Sequence, residues 1–143
     1  MNVRIQRIDT SLPLPAYQTP GAAAFDMYSR VDVDFAPGEI KRLPSNLIIQ
    51  VPKGYALILA ARSSLGSRRG LQLANGIGVI DQDFCGPEDE IGIVVRNISN
   101  AIVHIERGER IAQGLIVPVE KIMWEEVDGQ NAPTRGGFGS TGH

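Results

Sequence analysis

The sequence predicts an all-β fold, a sandwich or barrel of short strands. Three observations predict it. Sixteen glycines and nine prolines are spread along the 143 residues and cut the chain into short pieces. The pieces between them are apolar or alternate apolar with polar residues, and such runs at regular spacing between turn signals are the pattern of a sandwich or barrel. Only Ser63–Arg69 reads as a helical turn, so the crossover helices of a parallel sheet are missing.

Taken in order, the first run is residues 3–8, followed after Thr19-Pro20-Gly21 by residues 22–28. Residues 31–35 alternate Val, Asp, Val, Asp, Phe, the two-residue period of a pleated strand, and stop before Pro37-Gly38. Residues 40–43 and 47–51 flank Pro44-Ser45-Asn46, and Tyr55–Ala61 follows Pro52-Lys53-Gly54. Residues 71–86 read as a strand and then a turn. Residues 91–96, 101–105, 111–119 and 122–127 complete the set. No repeat or linker divides residues 1–127, which form a single β domain. Residues 128–143 differ, being Gly-rich and polar with only Ala132, Pro133 and Phe138 as apolar groups. They are too polar for a core and read as a flexible C-terminal arm.

Composition excludes several classes. A chain this long buries about 68–70% of its unfolded surface, enough for a core without staples. Net charge is −2 with a pI near 5.6, so there is no global basic field for nucleic acid. The single cysteine, Cys85, allows no intrachain disulfide and no Cys-rich zinc site. The first residues lack the apolar core of a signal peptide, and no apolar run approaches the ~20 residues that span a bilayer. A cytoplasmic protein is expected. The P-loop, dinucleotide-binding and His-Glu-x-x-His patterns are absent.

The candidate site residues lie in five stretches. In residues 71–86, Gly76 and Gly78 share one side of the run, while Ile77, Val79 and then Asp81 share the other. Glycines on one side allow a flat ring to approach the backbone and be read by its N–H and C=O groups, and Asp81 is an acid at the mouth of that slot. Asp is also a common turn residue and Gly a common bulge residue, so both readings stand. Arg62-Ser63-Ser64 ends a strand and opens the helical turn, where a planar guanidinium and free N–H groups suit phosphate. A surface turn with a capping serine is the other reading. Arg110 and Gln113 start a later strand and can add donors. Asp26 interrupts the apolar stretch 22–27 and needs a partner, an arginine or a metal. Glu88-Asp89-Glu90 reads as an acidic turn tip and His104 as a packing or surface residue. In the tail, Phe138 sits among glycines with Ser140 and Thr141, an aromatic able to cap a ring beside groups able to hold phosphate.

Together these stretches resemble five motifs of the trimeric dUTPases, in the family's order. They are Ala24-Phe25-Asp26-Met27, Ala61-Arg62-Ser63-Ser64-Leu65-Gly66, Gly76-Ile77-Gly78-Val79-Ile80-Asp81-Gln82-Asp83-Phe84, Gly108-Glu109-Arg110-Ile111-Ala112-Gln113, and Gly136-Gly137-Phe138-Gly139-Ser140-Thr141-Gly142. The resemblance implies a jelly-roll-like β domain, a homotrimer whose active sites are shared between chains, and Mg²⁺ held mainly by the triphosphate. It implies hydrolysis of dUTP to dUMP and pyrophosphate, which limits uracil in DNA and supplies dUMP. By the same resemblance Asp81 is the general base, and Asn75, Gly76, Gly78 and Ile80 read uracil. Phe84 lies under the sugar, and Phe138 stacks on the base as the arm closes. Arg62, Ser63, Ser64, Gln113, Arg135, Ser140 and Thr141 hold phosphate, and Asp26 binds water around the metal.

Three departures from the family pattern stand out. Phe84 replaces the usual tyrosine, Arg135 abuts Gly136-Gly137-Phe138 without the usual spacer, and Pro87-Glu88-Asp89 looks like an insertion. Two alternatives share the scaffold. A dCTP deaminase uses a glutamate base and lacks the Gly-Gly-Phe tail, and a non-catalytic nucleotide sensor would not need Asp81.

Overall fold

The structure, a computed structural model, describes residues 1–134, 136 and 137. Among these residues, eleven strands and one short helix account for the regular structure. The strands are β1 (Arg4–Arg7), β2 (Phe25–Tyr28), β3 (Val33–Phe35), β4 (Ile40–Pro44), β5 (Leu47–Gln50), β6 (Tyr55–Ala61), β7 (Leu71–Leu73), β8 (Gly78–Ile80), β9 (Gly92–Asn97), β10 (Val103–Ile105) and β11 (Arg110–Pro118). Helix α1 covers Ser63–Arg69.

All strand pairings are antiparallel. One sheet has the order β2-β11-β6-β8 and a second β4-β9-β7, with two-stranded pairs β1-β5 and β3-β10 beside them. The sheets do not close on themselves, so the jelly-roll-like expectation is met by an open sandwich rather than a barrel. Strands from both larger sheets feed one core. Met27, Leu57 and Ile111 come from the first and Leu43, Ile93, Val95 and Leu71 from the second, all essentially without solvent contact. Alternation explains the inward faces, since buried Ile93 and Val95 alternate with half-buried or exposed Gly92, Val94 and Arg96 on β9. A β-bulge between Arg110 and Ala112 breaks the alternation of β11. An extra residue there lets two consecutive side chains, Ile111 and Ala112, both be buried.

Two sequence expectations are corrected. Residues 71–86 are not one strand but two, β7 and β8, joined by a turn over residues 74–77 and assigned to different sheets. The turn is made by Gly76 at φ +74°, a backbone conformation that glycine adopts without the Cβ clash of other residues. Residues 122–127 form no strand. They alternate suitably, but β11 ends at Pro118, and among the described residues no strand pairs with the segment beyond it. Met123 and Trp124 are left 96% and 89% exposed.

Candidate active site

The end of β6 and the start of β11 lie side by side, and their pairing places a small crevice beside α1. Ala61 is level with Ala112 across the β6-β11 ladder, and Gln113 is level with Asp26 across the β11-β2 ladder. Arg62 leaves β6 in an extended conformation (φ −69°, ψ 145°) and α1 begins with the next residue. Its side chain reaches Asp26, whose Oδ1 accepts from Arg62 Nε at 2.9 Å. Arg110 Nη1 donates to the other oxygen, Oδ2, at 3.1 Å. Asp26 is only 6% exposed, so the carboxylate forms a buried bridge between two partly exposed guanidinium groups. A charge so far from water requires this pairing. Of the two partners the sequence left open for Asp26, the structure supplies arginine, twice.

The crevice encloses about 200 Å³ and is lined by Arg62, Ser64, Leu65, Arg68, Arg69, Glu109 and Arg110. Arg69 forks onto Glu109, Nε to Oε1 at 2.9 Å and Nη2 to Oε2 at 3.0 Å, which ties the last turn of α1 to the residue before β11. Ser63 is exposed at the first position of α1. No side-chain cap bond forms at the start of the helix, so the capping role considered for the serines is not realised. Gln113 Nε2 donates to Ala61 O at 3.0 Å, which fixes its amide beside the crevice with one N–H still available.

Asp81 and the residues expected to read the base lie elsewhere in this chain. Gly78 pairs with Leu59 and Ile80 with Leu57, so Asp81 comes level with Ala56, six residues before Arg62. At about 3.3 Å per residue, the distance along β6 is on the order of 20 Å. Asp81 is exposed and shares its face with Ile77 and Val79, which are 55% and 56% exposed. Asn75 and Gly76 occupy the turn before β8, and Ile80 is half-buried. Phe84, 36% exposed, follows the turn after Asp81. Gly78 differs from the sequence reading. It is buried, and a Cβ there would meet the Leu59 side chain at 3.1 Å. Its missing side chain therefore makes room for the core, not for a ring. Arg135, Phe138, Ser140 and Thr141 lie outside the described residues.

Several neighbouring groups are structural. Glu90 accepts from Arg30 Nε and Nη2 at 2.9 and 2.8 Å and from the Asn46 N–H at 2.7 Å. Burial pushes its carboxyl up, and the Arg30 and Asn46 hydrogen bonds outweigh that and hold it below the ordinary value. Asp89 Oδ2 accepts the Gly86 N–H at 2.6 Å and closes the turn that contains Pro87 and Glu88. Among the described residues, no three His, Cys, Asp or Glu side chains cluster to hold a metal.

Sequence reasoning named Arg110 but not its bond to Asp26, and it missed Glu109 and Arg68. The Glu109-Arg110 pair was in view, but which carboxylate meets which guanidinium depends on the β2-β11-β6 registers, which no local pattern encodes.

Comparison with known proteins agrees with these features. The dUTPase family profile matches residues 10–142. A deoxyuridine 5'-triphosphate nucleotidohydrolase from Dictyoglomus turgidum is 43% identical over 148 residues, covering 99% of each chain. One from Anaplasma marginale is 38% identical over 148 residues, again covering 99% of each. Among solved structures, the dUTPase from Streptococcus mutans superposes with a TM-score of 0.77 at 30% identity, covering 84% of this chain and 98% of the other. The Staphylococcus bacteriophage 80alpha dUTPase with dUPNHPP superposes with a TM-score of 0.87 at 23% identity, covering 99% and 98%, and at that identity shows the shared fold alone. By sequence and by fold, this chain is an enzyme of the dUTPase family.

Proposed function

We propose that the protein hydrolyses dUTP to dUMP and pyrophosphate, as a homotrimer in which the base and the phosphate crevice of one site come from different chains. The observation that carries this reading is the separation of Asp81 from Arg62. Lying toward opposite ends of β6, on the order of 20 Å apart along the strand, they cannot meet on one α-phosphorus within a single chain. A second copy that brings its Asp81 to this crevice resolves the conflict. Closed symmetric assembly is the usual way for identical chains to do so. The exposed apolar residues Ile122, Met123 and Trp124 are of the kind that a subunit interface covers.

The chemistry rests on the groups at hand. Water attacks the α-phosphorus, Asp81 takes its proton, and the bond to the bridging oxygen breaks so that pyrophosphate leaves with the electron pair. Phosphoryl transfer needs positioning and charge neutralisation more than covalent help from the protein. Arg62 offers the guanidinium nitrogens that Asp26 does not use, Ser63 and Ser64 offer hydroxyl and N–H donors, and Gln113 its remaining N–H. Mg²⁺ bound to the triphosphate would neutralise charge on it. Asn75 and the backbone of residues 76–80 read uracil's polar edge, with Gly78 contributing only through its main chain. Phe84 lies against the sugar. The arm brings Phe138 over the base and Arg135, Ser140 and Thr141 to the phosphates. The role is cytoplasmic, to keep uracil out of DNA and to supply dUMP.

The test is product analysis with Mg²⁺ and each of dUTP, UTP, dTTP and dCTP. Pyrophosphate and dUMP from dUTP alone is the expected result. Comparable cleavage of UTP would move sugar discrimination away from Phe84, and deamination of dCTP would replace the reading with the deaminase.

A further inference from the structure

Among the described residues, one cation of the crevice is neither used by the proposed chemistry nor held in an ion pair. Four guanidinium groups line the crevice, from Arg62, Arg68, Arg69 and Arg110. Two carboxylates pair with three of them and offset two of the four charges. Asp26 bridges Arg62 and Arg110, and Glu109 takes Arg69. Among the described residues Arg68 makes no ion pair, and the crevice is left with two positive charges in excess. Like charges gathered around a small concave space repel unless an anion joins them.

Arg68 also stands in the right place on its element. Ser64 and Arg68 are four apart on α1, so their side chains lie on the same face, one turn above the other. Both line the same crevice. The face that presents the Ser64 hydroxyl therefore continues into a free guanidinium, whose planar fork suits two oxygens of a phosphate.

We infer that Arg68 is a further ligand of the substrate's phosphate chain, extending the crevice by one helical turn beyond Ser64. The inference rests on the proposal that the crevice receives a nucleoside triphosphate. Arg68 makes a binding contact in this account and takes no part in proton transfer.

The test uses the full-length protein with Arg68→Gln, Arg68→Lys and Arg96→Gln. The last removes the same charge from an exposed position on β9, outside the crevice. Inorganic tripolyphosphate is the probe, measured both by calorimetric titration and as an inhibitor of dUTP turnover. Losing one charge-assisted contact should weaken tripolyphosphate binding about tenfold in Arg68→Gln. The KM for dUTP should rise by a similar factor while kcat stays within about twofold, the signature of a contact made equally in ground and transition states. Arg68→Lys should fall between Arg68→Gln and the unaltered protein, and Arg96→Gln should match the unaltered protein. If Arg68→Gln binds tripolyphosphate as tightly as Arg96→Gln does, the assignment of Arg68 is wrong. If tripolyphosphate binding depends on Arg68 but dUTP is not turned over, the phosphate site stands and the dUTP reading falls.

Discussion

Asp26 and Asp81 are the same side chain in opposite surroundings, one buried and one exposed. Asp26 is buried with both oxygens held by arginines, so it is a fixed charge that orients Arg62 and Arg110 toward the crevice. Replacing it with asparagine keeps the shape and leaves two guanidinium groups without their carboxylate. Because both arginines retain solvent contact, the loss should fall between the values for exposed and fully buried pairs, at about 2 kcal/mol. Urea unfolding measures it, and an unchanged midpoint would show that the bridge contributes nothing. Asp81 is exposed just beyond the end of β8, and the proposed mechanism gives it the proton of the attacking water. Asp81→Asn should lower kcat by about 10²- to 10⁴-fold with KM for dUTP little changed. A near-normal single-turnover rate would assign the base to another group. Asp26 was legible as a residue needing a partner because it interrupts an apolar run. Its partners were not legible, because they come from residues 36 and 84 positions away.

At the level of elements, turn chemistry and alternation predicted most strands, and Tyr55–Ala61 and Ser63–Arg69 emerge with the expected ends. The failures have physical causes. Residues 71–86 read as one strand and then a turn because Ile77 and Val79 alternate with Gly76 and Gly78, yet Gly76 at φ +74° turns the chain between two sheets. Gly78 looked like a ligand slot, but Leu59 on the neighbouring strand fills the space beside it, a contact that depends on register. A small pair of strands gives the fold a pH-dependent component. His104 on β10 lies directly across from Asp34 on β3, Nδ1 to Oδ1 at 2.7 Å. The hydrogen bond to Asp34 raises the imidazole above its ordinary value, with nearby Asp32 and Glu106 adding to the effect. A raised folded-state value means that the pair stabilises fully below about pH 6.5 and that its contribution is lost as pH rises through the folded value. His104→Gln should therefore lower Tm relative to the unaltered protein in acid, and the difference should shrink above neutrality. A difference independent of pH from 5 to 9 (a range spanning about two units either side of neutrality) would exclude a titrating histidine.

On the scale of the whole molecule, the domain has one core, and the groups proposed for the site lie apart on its surface. Buried side chains from both larger sheets form one cluster, while the acid, the phosphate crevice and the apolar segment after β11 all remain exposed in a single copy. On the proposal that the arm's groups contact substrate rather than the core, a chain ended at Pro133 should keep its Tm and oligomeric state and lose most dUTP turnover. Unfolding of that chain would make the arm structural. The five motifs made the family legible in the sequence, but the β6 register that separates Asp81 from Arg62 within one chain was not.

Mixing two inactive chains tests the proposed sharing of sites between chains most directly. Asp81→Asn and Arg62→Ala chains, each inactive alone, would be denatured together, refolded and assayed after mass spectrometry confirms mixed oligomers. If base and crevice come from different copies, some sites in each mixed trimer unite an intact Asp81 with an intact Arg62, and about a quarter of normal activity should return. Mixed trimers with no recovered activity would place both groups of each site in one chain and contradict the shared-site account.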